Sequence, residues 1–180
     1  MRPYVYVAGA SLARGAAAIS VGSAGCSGDF DAQKPLVCGD PELFRAAVSP
    51  YLEARCGTLD CHGSMQRPMR LYGRNGLRHP DEQNITGGEP TTALELDANF
   101  ASVCALEPEK MAGAIEDLGA SGDRLIFIAK PRATVRHKGG KVVDEGDDAD
   151  RCMLGWISKV GERDAAEVSA RCEAAAAKLP

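Results

Sequence analysis

The sequence predicts a mainly α-helical domain with long loops, because helix signals recur along the chain and strand patterns are scarce. Apolar side chains fall on one helical face between residues 41 and 55. Capping patterns mark two helix starts, Asp40-Pro41 and Thr92-Ala-Leu-Glu95. Segments that alternate apolar and polar residues, as half-buried strands do, are few.

Local residue chemistry gives the order of the elements. Helices are expected at about 41–55, from 93 through 106, and at about 108–118, 149–160 and 163–178. Pro50 lies inside the first helix and should kink it or split it in two. Residues 63–90 and 132–146 are rich in glycine and polar residues and should form loops. The apolar run 125–128 fits either a strand or a helix.

Composition limits the classes of protein to which the chain can belong. Its 180 residues are 44% hydrophobic and 26% charged, enough for one domain with a buried core. The formal charge is −4, and only the N-terminus concentrates basic residues, so nucleic acid is not expected as a partner. The longest stretch without a charge, 15–28, covers 14 residues and is too short to span a bilayer.

The N-terminus reads as an export signal. Residues 1–25 contain Arg2 and Arg14 but no acidic residue, and they end in small residues. The sequence Ser23-Ala-Gly-Cys26 resembles the lipobox of bacterial lipoproteins, in which the cysteine becomes the lipidated N-terminus. We expect a signal peptide over 1–25, lipidation at Cys26 and a tether over 26–38. The mature protein would then face the periplasm from a lipid anchor in the bacterial envelope, at the outer membrane; an ordinary signal would release it into the periplasm.

The main chemical motif is Cys56-Gly-Thr-Leu-Asp-Cys61-His62, a C-x4-C-H string. Two nearby cysteines followed directly by histidine are typical of covalent c-type haem attachment. The thiols form thioethers with the two vinyl groups, and the imidazole ligates the iron. The usual spacing has two residues between the cysteines rather than four, and Gly57 would give the wider loop backbone freedom. Two alternatives remain: a Cys56–Cys61 disulfide beside a surface His62, or a zinc ion held by all three residues.

The order of further motifs resembles the cytochrome c-like domains of the planctomycete type and of myxobacterial exported proteins. The motifs are Val48-Ser-Pro-Tyr-Leu52, the segment 125–131 ending in Lys-Pro, His137-Lys-Gly-Gly140, and Met153-Leu-Gly-Trp-Ile157. The resemblance spans 43–158, with 64–120 as an insertion that does not align. It implies a small cytochrome c-like helical domain over 39–160, with an extra C-terminal helix over 161–180.

The same resemblance implies a function and a second iron ligand. The chain would carry one haem c, bound through Cys56, Cys61 and His62, and would transfer electrons to redox protein partners rather than act as an enzyme. His137 matches the distal histidine of a family variant, which implies a bis-histidine iron with a lower potential than a methionine ligand would give. Met111 and Met153 are the rival ligands, and a solvated loop position is the remaining possibility for His137.

Four cysteines lie outside both the string and the lipobox, and they can pair in three ways. If the last two helices form a hairpin turning at Gly161-Glu162, Cys152 and Cys172 are equidistant from the turn and can form a disulfide. Cys38 would then pair with Cys104. An even number of cysteines in the mature domain fits an oxidising compartment.

Two functions therefore remain open from the sequence. The first is the exported electron carrier. The alternative is a haem-free, disulfide-stabilised lipoprotein that serves as a binding or scaffold module.

Two groups of charges have minor roles in these expectations. The acidic run 144–150 should be a solvated helix start. Four loop bases could neutralise haem propionates or simply be solvated, and none is assigned: Arg132, Arg136, Lys138 and Lys141.

Overall fold

The fold is mainly α-helical with long loops, as the sequence predicts. The computed structural model describes residues 36–158 and 161–179. The signal peptide, Cys26 and most of the expected tether lie outside these residues. Within them the extended segments form no sheet, and Tyr72 and Leu77 make an isolated bridge. None of the helices in this part of the chain has the length and apolar character needed to cross a membrane.

Seven α-helical segments position the core in the described residues. In chain order they are α1 (Pro41–Leu43), α2 (Ser49–Cys56), α3 (Ala93–Cys104), α4 (Pro108–Glu116), α5 (Ile126–Ala129), α6 (Asp148–Ser158) and α7 (Glu162–Ala176). A π-helical segment, Phe44–Val48, joins α1 to α2, and a 3₁₀ turn, Gly122–Arg124, precedes α5. The ambiguous run 125–128 is therefore helical from Ile126, with Leu125 as the extended residue before α5. The segments 57–92 and 130–147 are largely loop.

The first helical stretch shows how the chain accommodates Pro50. The side chain of Asp40 accepts a hydrogen bond from the Leu43 amide at 2.7 Å and caps the start. In place of the expected kink or split, the structure has the π-helical segment directly before Pro50. The Ser49 amide donates to the Phe44 carbonyl and closes the last turn of this segment. Because proline has no N–H to donate, the wider turn directly before it lets the helix continue.

The capping box predicted for α3 is confirmed. The Glu95 amide donates to the Thr92 hydroxyl, and the Thr92 amide donates back to the Glu95 carboxylate at 3.0 Å. Glu95 is fully buried and also pairs with Arg78, whose guanidinium donates to both of its oxygens at 2.8 Å. This ion pair fastens the 63–90 loop to α3.

The core is built around Trp156 on α6. Its indole N–H donates to the Asp40 carbonyl at 2.9 Å, and its ring lies 5.0 Å from Phe44 and 6.1 Å from Phe127 between ring centres. Trp156 is completely buried. Trp156 does not line the cavity described below, whereas Phe127, which packs against it, does.

Two disulfides join the elements. Cys152 on α6 bonds Cys172 on α7 with 4.8 Å between the Cα atoms, and Cys38 bonds Cys104 at the end of α3 with 5.8 Å. Both pairings are those expected from the hairpin register. Asp148 also joins the two helices of the hairpin, because it accepts hydrogen bonds from Arg171 and Lys178.

One buried ion pair corrects the expectation of a solvated acidic run. Asp150 is only 2% exposed and receives the guanidinium of Arg132, which is also buried. The two hydrogen bonds measure 2.6 and 2.7 Å. A carboxylate buried at this depth requires a paired charge, and Arg132 supplies it from the preceding loop. Arg132 is therefore not placed to neutralise a haem propionate.

Candidate functional site

A cavity opens between α2, α5, α6 and the loops that follow α2 and α5. Its volume is about 160 Å³, below the roughly 300–1,000 Å³ typical of ligand pockets, and it adjoins a wider groove of about 480 Å³. Most of its lining is apolar, including Leu52, Met69, Leu106, Phe127, Val143 and Met153. Three of the four residues predicted to hold a haem also line it: Cys56, His62 and His137. The fourth, Cys61, lines a groove at the mouth that shares those three residues.

The C-x4-C-H string forms a compact turn at the end of α2. The His62 amide donates to the Cys56 carbonyl at 2.8 Å, so the string folds back and brings His62 beside the first cysteine. The amides of Cys61 and Gly63 both donate to the Thr58 carbonyl at 2.9 Å. Four intervening residues are thus accommodated as a closed turn rather than as an open loop.

Glycine is required at this turn for close packing, not for the backbone freedom expected of Gly57. Gly57 has a φ of −83°, which any residue adopts. A Cβ at Gly63 or at Gly76 would lie 2.0 or 1.9 Å from the Gly57 carbonyl oxygen. The absence of side chains therefore lets three backbone segments meet behind the string, which the sequence pattern did not reveal.

Both cysteines of the string carry free thiols. The alternative of a Cys56–Cys61 disulfide is thus not formed. Burial raises the pKa of the Cys56 thiol to about 11, so this group is protonated at neutral pH. Among the described residues, no group of three or more His, Cys, Asp or Glu side chains is gathered as a metal site would require.

His62 is oriented by a residue that sequence analysis missed. Its Nδ1 lies 3.0 Å from the backbone carbonyl of Met69, which can only accept, so Nδ1 carries the proton. Burial lowers the pKa of the imidazole, with the positive charges of Arg67 and Lys130 acting in the same direction. The ring is therefore neutral, and Nε2 keeps its lone pair for a ligand. Because a backbone carbonyl leaves no mark in side-chain patterns, Met69 could not have been found from the sequence.

His137 is held in the same way by its own loop. Its Nδ1 lies 2.8 Å from the Gly140 carbonyl, which again leaves Nε2 available as a metal ligand. Gly140 has a φ of +73°, a conformation that favours glycine. A Cβ at Gly139 would come within 3.2 Å of the His137 ring. Both glycines of the His-x-Gly-Gly motif therefore serve the position of the imidazole.

The structure brings the two histidines together. The ring centres of His62 and His137 lie 6.2 Å apart, and the ring planes differ by 18°. Two imidazoles that bind one metal ion through nitrogen, at about 2 Å each, have their ring centres about 6 Å apart. The separation of the two ring centres therefore matches that distance.

The rival ligands are placed differently. Met111 is buried in α4 among core residues and does not line the cavity. Met153 lines the cavity, as does Met69, which no sequence motif singled out. Met153 also belongs to the hydrophobic core, as its place on α6 predicts.

The mouth of the cavity is basic although the whole chain is acidic. Its groove is lined by five cationic side chains: Arg55, Arg67, Lys130, Lys138 and Lys141. Asp60 is the acidic residue among the groove's lining. Lys138 and Lys141 were among the bases considered for haem propionates, and both lie at this mouth.

Comparisons of the chain with protein-family models, with curated proteins and with solved structures found no match. Any inference about the function of the protein therefore rests on the chemistry of its own residues.

Proposed function

We propose that the protein is an exported c-type cytochrome that carries one haem c and transfers electrons. Cys56 and Cys61 would bind the haem covalently, and His62 and His137 would be the two axial ligands. The observation that carries this proposal is the pair of imidazoles, 6.2 Å apart between ring centres, beside two free thiols.

The donor set fits the group. Each imidazole has its Nδ1 committed to a backbone carbonyl, at 3.0 Å for His62 and 2.8 Å for His137, so each can offer only Nε2. Such a second partner fixes both the tautomer and the ring orientation of a histidine ligand. The two thiols lie on the same turn as His62, as covalent attachment on the His62 side of the porphyrin requires.

The cavity walls favour an apolar group. Aliphatic and aromatic side chains from α2, α5 and α6 surround the histidines and would exclude water from a bound porphyrin. Haem supplies reversible one-electron chemistry at its iron. Because two protein ligands leave no coordination position for a substrate, electron transfer is favoured over catalysis.

The charged surroundings agree with this assignment. Haem propionates need cationic partners, and Lys130, Lys138, Lys141 and Arg55 line the mouth where propionates would emerge.

Redox proteins are the proposed partners. The proposal also includes export to the bacterial envelope and lipidation at Cys26, since haem attachment of this type accompanies export and the disulfides fit an oxidising compartment.

Covalent haem attachment tests the proposal. The full chain is produced in a bacterial periplasm together with haem-maturation proteins, and denaturing gels are stained for haem. We expect a stained band for the natural chain and none for the Cys56→Ala, Cys61→Ala double variant. The matched control, Cys152→Ala with Cys172→Ala, also removes two cysteines and should keep the stain. A folded, colourless natural chain would overturn the proposal and favour the haem-free binding or scaffold module.

A further inference from the structure

The loop that carries His137 begins and ends at one buried carboxylate. Arg132 opens this loop, and its guanidinium donates to Asp150 Oδ1 at 2.6 Å and to Oδ2 at 2.7 Å. Gly146 closes the loop, and its amide donates to Asp150 Oδ2 at 2.8 Å. The Asp150 side chain is only 3% exposed. A single side chain on α6 thus holds both ends of the segment 132–146.

A second set of hydrogen bonds closes the base of the same loop. The Pro131 carbonyl accepts hydrogen bonds from the amides of Val142 and Val143, at 2.8 and 3.1 Å. The segment between them contains His137 and the glycines that orient it. With its base closed twice, the loop has little freedom to carry the imidazole away from the cavity.

We propose that Asp150, through Arg132 and Gly146, is the positioning residue that holds His137 at the iron. This inference rests on the proposed function, since it concerns the sixth ligand of the haem. The carboxylate acts at a distance from the iron, because it contacts neither the cavity nor His137. Its role is to keep the loop 132–146 closed, so that the His137 Nε2 stays within reach of the metal.

The chain contains a second buried pair of a carboxylate and an arginine, and this second pair lies outside the loop 132–146. Glu95 is fully buried and receives the guanidinium of Arg78 through two bonds of 2.8 Å. It also accepts backbone amides, from Thr92 and His79, at 3.0 Å. Neither Glu95 nor Arg78 lines the cavity. Removal of either carboxylate takes two hydrogen bonds and the buried counter-charge from a guanidinium that keeps other acceptors, Asp123 for Arg132 and the Glu89 and Pro90 carbonyls for Arg78. Both variants should therefore lose stability to a similar extent.

The test compares Asp150→Ala with Glu95→Ala in the haem-loaded full chain. Reduced protein is exposed to carbon monoxide, which binds only where the sixth ligand has left the iron. We expect the fraction of carbon monoxide-reactive protein to be about tenfold higher in Asp150→Ala than in Glu95→Ala. Hydrogen exchange at the Val142 and Val143 amides should also accelerate in Asp150→Ala and not in Glu95→Ala.

The outcomes separate this inference from the function on which it rests. Equal reactivity in the two variants would overturn the role of Asp150, because general destabilisation would then account for the effect. A natural chain without haem would overturn the proposed function and, with it, this inference. If Asp150→Ala does not fold, Arg132→Lys and Arg78→Lys give the same comparison, since lysine keeps the charge but loses the two-pronged contact.

Discussion

The imidazoles of His62 and His137 lie 18° from parallel with ring centres 6.2 Å apart, although they belong to loops far apart in the chain. The first follows α2 and the second follows α5. Each ring is fixed by a carbonyl from its own loop, from Met69 and from Gly140. The cavity between the loops thus presents two nitrogen donors, one from each loop.

Removal of the distal imidazole should open the iron without releasing the haem. In His137→Ala the thioethers and His62 remain, so we expect the haem stain to persist while a high-spin component appears and carbon monoxide binds. Val135→Ala changes an exposed residue of the same loop that lines neither the cavity nor its mouth, and it should behave as the natural chain. A His137→Ala protein that still excludes carbon monoxide would identify another sixth ligand, and Met153 and Met69 both line the cavity.

The glycine after the distal histidine should matter in two ways. Gly140→Ala places a Cβ on a residue with a φ of +73°, which should lower the free energy of unfolding by about 1 kcal/mol. It should also loosen His137, because the Gly140 carbonyl orients that ring. Gly87→Ala is the control: its φ is +80° and nothing lies near its Cβ position. Both variants should lose similar stability in urea, and only Gly140→Ala should gain carbon monoxide reactivity; the same reactivity in both would contradict the role of Gly140.

The two disulfides should contribute unequally to stability. The Cys38–Cys104 bond spans 66 residues and the Cys152–Cys172 bond spans 20. Each disulfide restricts the unfolded chain, and the expected gain in the free energy of unfolding is about 4 kcal/mol for the longer loop and about 3 kcal/mol for the shorter. Urea unfolding of the two double alanine variants measures the difference. A smaller loss for the variant lacking Cys38 and Cys104 would show that native-state effects, not chain restriction, dominate.

Glu53 should make the protein less stable as the pH rises. Burial raises the pKa of its carboxyl, despite hydrogen bonds from Thr91, Ser49 and Asn99 that oppose the shift. The folded state therefore binds more protons than the unfolded state above the ordinary glutamate pKa of about 4.3, and stability falls as pH increases through that window.

Glu53→Gln removes this titration and should flatten the decline in stability between pH 4 and neutral pH. The control is Glu42→Gln, since the Glu42 side chain is 85% exposed. Urea unfolding at a series of pH values compares the three proteins. An unchanged decline in Glu53→Gln would assign the pH dependence to another group.

The sequence could predict the features that depend on local spacing. The Thr92 capping box, the Cys152–Cys172 register and the helical character of the domain follow from counting residues along a helix. The His-x-Gly-Gly loop came from a resemblance, and the structure adds the reason for it, which is the contact between Gly140 and His137.

The remaining features depend on contacts that leave no periodic signal. The Met69 carbonyl acts through the backbone, and Gly63 matters because another backbone approaches it. Asp150 was misjudged because it stands in a run of acidic residues, while its partner Arg132 lies 18 positions earlier in the chain. Burial of a charge is decided by tertiary packing, which residue patterns do not encode.

The absorption spectrum of the reduced full chain, recorded with and without carbon monoxide, tests the central claim most directly. Two histidine ligands on a covalently bound haem predict a c-type spectrum for one haem per chain that carbon monoxide leaves unchanged. A folded protein without haem absorption, or a spectrum that shifts when carbon monoxide is added, would contradict the account.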